Sequence, residues 1–216
     1  SFLFDDEDKQ LLSFVAKHIC SALERKSSAL RMQFLALHDP LTNLPNRELF
    51  NDRVHQAIVG CENERRTHLA IMFVDIDRFK QVNDTYGHII GDETLIAIAN
   101  IMKSFFEKDE YLYRFGGEEF VVLFRDLSPL ETEILLEQLR QCVADYVFPQ
   151  IGQKTISIGY VPIIPNGDSS LLFEQADAAL YEAKNSGRNC VKSYQKLVED
   201  GIIAAIDKRS GTVELF

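Results

Sequence analysis

From Asp5 to Leu37 the chain carries neither glycine nor proline, and apolar residues recur every three or four positions. That is the period of one helix face, so the pattern predicts a single long helix over 5–37. A heptad runs through it. Positions 16, 23, 30 and 37 are Ala, Leu, Leu and Leu, and positions 12, 19, 26 and 33 are Leu, Ile, Lys and Gln. One apolar seam beside a partly polar one suits a parallel coiled-coil dimer of modest stability. A lone amphipathic helix packed on its own domain has the same pattern, and periodicity does not choose between them.

Beyond Leu37 the pattern breaks and alternates. Pro40 disfavours helix at Asp39, and Pro45 suits the start of a second helix running to about Cys61. "HLAIMFVDID" reads as a buried strand that ends in two acids. "IGDETLIAIANIMKSFF" has a helical apolar face, with Asp92 near its start, where a carboxylate suits the dipole. "YLYRF" and "FVVLFR" are strand-like runs around Gly-Gly-Glu-Glu. A helix follows over 128–147, with Ser128 as N-cap and Pro129 at its first position. "KTISIGYVPI" is a strand, 169–186 a helix stopped by Gly187, and "NCVKSY" a last strand. The order β-α-β-β-α-β-α-β predicts an α/β (α+β) domain on a mostly antiparallel sheet. The expected division is a helix at 1–37, a domain at 38–194 and an extension at 195–216, where "GTVELF" is a candidate edge strand.

Composition narrows the classes. Of 216 residues, 46% are hydrophobic, enough for a real core and against disorder. The net charge of −10 argues against nucleic-acid backbone as a partner, but leaves room for a small anion held by local cations. The four cysteines are far apart, lack metal-ligand spacing and fit the reduced thiols of a cytoplasmic protein. No apolar run approaches the roughly 18 residues of a membrane span. The opening "SFLFDDEDKQLL" is abrupt, so a piece of a longer chain is expected.

The candidate chemistry lies where acids meet glycines. Glycine accepts positive φ, so Gly116-Gly117 is expected to form a tight hairpin. Glu118 and Glu119 repel each other there and call for a cation; taken alone, the stretch reads rather as an exposed acidic turn. Asp75 and Asp77 end a buried strand, where acids are costly unless paired or bound to metal. If that strand neighbours the hairpin, the carboxylates converge into a hard-oxygen site for Mg²⁺ or Mn²⁺. Lys80 close by points to phosphate chemistry.

Five signatures in order now resemble one family. They are "DPLTNLPNR" at 39–47, "VDIDRFKQVNDTYGHIIGD" at 74–92, "YRFGGEEF" at 113–120, "TISIGY" at 155–160 and "ADAALYEAKNSGRN" at 176–189. Together they resemble the GGDEF-domain diguanylate cyclases over about 34–194, and imply a fold like the nucleotidyl cyclase and polymerase palm. The resemblance implies condensation of two GTP into cyclic di-GMP and two pyrophosphates. It implies metal ligands at Asp75, the Ile76 carbonyl and Glu118. Glu119 joins the metal shell or shares with Glu118 the removal of the 3′-hydroxyl proton. Asn83 and Asp92 match the guanine-reading pair, with His88 near the ribose or base, or simply a loop histidine. Lys80, Lys184 and Arg188 match phosphate contacts; the last two also suit a helix C-terminus. Asp39 and Arg47 are expected to pair and fix the entry of the long helix. Where relatives carry an Arg-x-x-Asp product-inhibition site, this chain has Glu107 and Glu110, so that inhibition is expected to be lost. One GTP per domain implies a homodimer through the helix with facing active sites, behind an absent sensor. The rivals are an inactive GTP-binding regulatory domain and a dimeric scaffold.

Overall fold

The computed structural model describes residues 6–63, 69–106, 112–124, 127–163 and 168–206. The chain divides into two units, Ser1–His38 and Asp39–Phe216. Over its described residues the first carries one helix, α1 (Asp6–Leu37). In the single chain its apolar residues face solvent, with Leu23 at 62% and Leu30 at 58% exposure. Among the described residues, no helix is long and apolar enough to cross a membrane.

The second unit is built on β1 (Leu69–Ile76), β2 (Leu112–Arg114), β3 (Glu119–Phe124), β6 (Ile156–Ile163) and β7 (Val191–Ser193). The order is β2-β3-β1-β6-β7. Its pairs are antiparallel except β6 with β7, which are parallel. This is the mostly antiparallel α+β sheet that the pattern predicts. The period of two along β1 divides the core. Met72, Val74 and Ile76 face α3 (Phe79–Tyr86), α4 (His88–Phe105) and α5 (Pro129–Asp145). Phe73 faces the other layer, α2 (Arg47–Asn63), α6 (Ser169–Asn185) and α7 (Tyr194–Glu199).

Local chemistry sets the helix starts. Ser128 and Glu131 form a reciprocal capping box at α5, with Pro129 just inside. Asp168 caps α6 through the Ser170 N–H. Three elements escape the pattern reading because each is too short for a period to register: α3, α7, and a small hairpin of β4 (Val147–Phe148) and β5 (Gly152–Gln153). The extension therefore begins as helix α7, and the Ile206 N–H donates to Tyr194 Oη at 2.6 Å. "GTVELF", Glu107 and Glu110 lie outside the described residues.

Candidate active site

Antiparallel pairing of β1 with β3 sets Asp75 directly opposite Glu119. The Ile76 N–H also reaches the Glu118 carbonyl at 3.4 Å. The strand-end acids and the hairpin glutamates therefore meet. Asp75 is buried to 6% exposure, and Lys184 Nζ from the last turn of α6 stands 2.8 Å from its Oδ2. Burial raises the Asp75 pKa; Lys184 offsets only part of this, and Asp77 adds to it. Burial also raises Glu118, and the Asp75 charge raises it further. Both carboxylates thus sit short of positive charge.

The hairpin tip is not the turn the glycines predict. Neither Gly116 nor Gly117 adopts positive φ. Phe115 and Gly116 instead both donate backbone N–H groups to the Glu119 carbonyl, at 2.9 and 3.2 Å. Glycine at 116 leaves room for Glu119 as it lies: a Cβ there would stand 2.5 Å from Glu119 Oε2.

The two strand-end aspartates divide their roles. Asp77 Oδ2 accepts from Thr155 Oγ1 at 2.6 Å and from the Asn189 N–H at 3.0 Å. Its Oδ1 accepts from Ser157 Oγ at 2.6 Å. Its acceptor positions are thus taken up within the protein, whereas Asp75 faces the hairpin and α6.

Asn83 on α3 and Asp92 on α4 lie on a helix pair turned by Gly87 at φ 84°. Gly91 packs so closely beneath Asn83 that an added Cβ would collide with Asn83 Oδ1. Lys80, His88, Asp92 and Arg188 are exposed. Arg188 lies near enough to Asp75 to favour its ionised form.

The expected Asp39–Arg47 pair does not form. Asp39 Oδ1 accepts instead from Arg114 Nη1 at 2.8 Å, and from the Thr42 N–H and Oγ1 at 2.8 and 2.7 Å. The reason is topological: Arg114 N donates to the Pro45 carbonyl, which brings the end of β2 against this loop. The Arg47 guanidinium lies over the Phe115 ring, 4.6 Å from its centroid. Arg114 Nη2 also donates to the Gly117 carbonyl at 2.7 Å, so one side chain ties the 39–44 loop to the hairpin. The sequence signal for this was the arginine two residues before Gly-Gly.

A family model described as "Diguanylate cyclase, GGDEF domain" matches residues 36–190. The chain belongs to this family. Its GGDEF-domain relatives include "Probable diguanylate cyclase DgcT" of Escherichia coli (strain K12), 39% identical over 173 residues, 76% of this chain. The chain spans only 37% of that relative's length. Among solved structures, the coiled coil and GGDEF domain of DgcB from Caulobacter crescentus, in complex with c-di-GMP, matches with a TM-score of 0.76. It is 27% identical, and the match covers 85% of this chain and 98% of that one. The active GGEEF domain of a diguanylate cyclase from Vibrio cholerae matches with a TM-score of 0.63 and 30% identity, covering 70% and 97%. The matched range includes the run Gly116-Gly117-Glu118-Glu119-Phe120, which forms the hairpin described above.

The donor set suits a hard divalent cation. Among the described residues no three His, Cys, Asp or Glu side chains gather as a metal site. Asp75 and Glu118 bring two carboxylates close together, oxygen donors of the kind Mg²⁺ takes when water and substrate phosphates supply the remainder.

Proposed function

We propose that this chain is the catalytic domain of a diguanylate cyclase, which condenses two GTP into cyclic di-GMP and two pyrophosphates. The observation that carries the reading is the meeting of Asp75, at the end of β1, with Glu118 and Glu119 of the neighbouring hairpin, with Lys184 alongside. Asp75, the Ile76 carbonyl and Glu118 would hold Mg²⁺ or Mn²⁺, with Glu119 beside them. When bound, the ion supplies Lewis-acid neutralisation of the triphosphate.

The chain's own residues then bind and orient. Lys184 and Arg188 neutralise phosphate charge, and Lys80 favours charge that develops on the transferred phosphoryl group. Asp92 accepts from guanine N1–H and the exocyclic amine, while the Asn83 amide both donates and accepts. Adenine presents the wrong pattern, leaving a carboxylate unpaired at a cost of ~1–3 kcal/mol. His88 lies beside the ribose or base. Glu118 or Glu119 accepts the proton of the attacking 3′-hydroxyl. That hydroxyl belongs to the GTP of a second domain, so two copies must face each other, with α1 as the dimer seam. The bond from the α-phosphorus to the 3′-oxygen forms as the bond to pyrophosphate breaks.

The test is incubation of the purified protein with GTP and Mg²⁺, with cyclic di-GMP read by mass spectrometry. Glu118→Gln keeps the size and removes the charge, and is expected to lose at least ~10²-fold in rate. GTP binding without product would favour a regulatory domain, and neither binding nor product would favour a scaffold.

A further inference from the structure

We infer that Asp77 is a positioning residue for the phosphate side of the site, acting through the turn that carries Arg188. After α6 the chain makes an unusual move: Gly187, Arg188 and Asn189 all adopt positive φ, at 106°, 66° and 47°. Only glycine enters that region without steric cost, so two consecutive side-chain-bearing residues there need external support. The support converges on Asn189. Its N–H donates to Asp77 Oδ2 at 3.0 Å, and its Oδ1 accepts from Arg140 Nη1 of α5 at 2.7 Å. The next residue is pinned to the sheet, since the Ile158 N–H donates to the Cys190 carbonyl at 3.0 Å.

Asp77 is itself held rigidly. It is 5% exposed, Thr155 and Ser157 donate to its two oxygens, and its own N–H donates to the Thr155 carbonyl at 3.0 Å. The carboxylate thus bridges the end of β1, the start of β6 and the turn after α6. Asp75 leaves the same strand end two residues earlier and meets Lys184 from the same helix. One strand end therefore carries the acid of the site and the anchor for the Arg188 turn. What Asp77 contributes is the pattern of accepted hydrogen bonds, rather than a charge offered to metal or substrate.

The functional part rests on Arg188 being a phosphate contact. The test measures the Kd of a non-hydrolysable GTP analogue with Mg²⁺, KM and kcat for GTP, and hydrogen exchange at the Asn189 amide. The proteins are the wild type, Asp77→Ala, Asp77→Asn, Arg188→Ala and the Asp77→Ala/Arg188→Ala double variant. Asp77→Ala is expected to raise Kd and KM about tenfold, change kcat less, and speed exchange at Asn189. Asp77→Asn should recover most of the loss, because its carboxamide oxygen still accepts from Thr155 and Asn189 while its NH₂ donates to Ser157. In the Arg188→Ala background Asp77→Ala should add little.

An Asn variant as impaired as the Ala variant would show that the charge itself is required, which overturns the inference. Full additivity in the double variant overturns it as well. Loss in Arg188→Ala with none in Asp77→Ala removes the role of Asp77 alone. Unchanged binding in Arg188→Ala removes the phosphate reading on which the inference stands. If Asp77→Ala does not fold, Thr155→Val deletes one donor and keeps the carboxylate. It should shift Kd and Asn189 exchange in the same direction by a smaller factor, and no shift overturns the inference.

Discussion

Gly116 shows how a residue can matter through what it lacks. The methyl group of alanine would stand 2.5 Å from Glu119 Oε2, the mobile end of a side chain. The collision is relieved by swinging the carboxylate away, so folding tolerates the change and the site does not. Gly116→Ala is expected to keep its unfolding free energy within about 0.5 kcal/mol. It should lose at least about tenfold in cyclic di-GMP synthesis. Urea unfolding and initial rates on one preparation check both halves, and a large stability loss would show that the backbone, not Glu119, resists the methyl group.

Between elements the same substitution costs stability as well. At Gly159 on β6, an added Cβ would collide with the Leu180 backbone N and lie 2.6 Å from the Ala176 carbonyl oxygen. Backbone cannot rotate aside, so α6 must lift from the sheet. Gly159→Ala is expected to destabilise by about 2–3 kcal/mol, read by chemical denaturation. Because α6 carries Lys184, activity should fall with stability. The 39–44 loop gives a pH signature. Burial alone would raise the Asp39 pKa, but hydrogen bonds from Arg114 and Thr42 outweigh it and leave it lowered. With the folded value below the unfolded one, the stabilisation is fully present above roughly pH 3.9. It is lost as pH falls through the folded value. Asp39→Asn should cost about 2 kcal/mol at pH 7. Its deficit should shrink on acidification below the unfolded carboxylate value, measured as unfolding free energy against pH; a deficit independent of pH would show that shape rather than charge is what Asp39 supplies.

For the whole molecule, the proposed reaction needs two nucleotides from two domains, so activity and assembly are linked. Specific activity should rise with protein concentration. A Leu23→Glu/Leu30→Glu variant changes two exposed residues of the heptad seam. At dilute concentration it is expected to be at least about tenfold less active, and to recover on concentration. Sedimentation alongside rate measurements checks this. A monomer that is fully active at every concentration would contradict the facing-domain mechanism.

The sequence by itself determined the periods, the breaks and the spelling of the site. The apolar run marked β1 as a buried strand, and the glycine-free run placed the end of α1 at Leu37. These are local properties, set by side-chain direction over a few neighbouring positions. The meeting of Asp75 with Glu118 and Glu119 was legible only as a condition on strand adjacency, which the β1–β3 register met. Tertiary structure alone decided which partners the charged groups took. Asp39 chose Arg114, 75 positions away, over Arg47, and Asp77 took donors from Thr155, Ser157 and Asn189. It also decided that Gly116 serves a neighbouring carboxylate rather than a turn. Such choices depend on register and on layers closing over long stretches of chain, and a buried charge takes whichever donor that closure delivers.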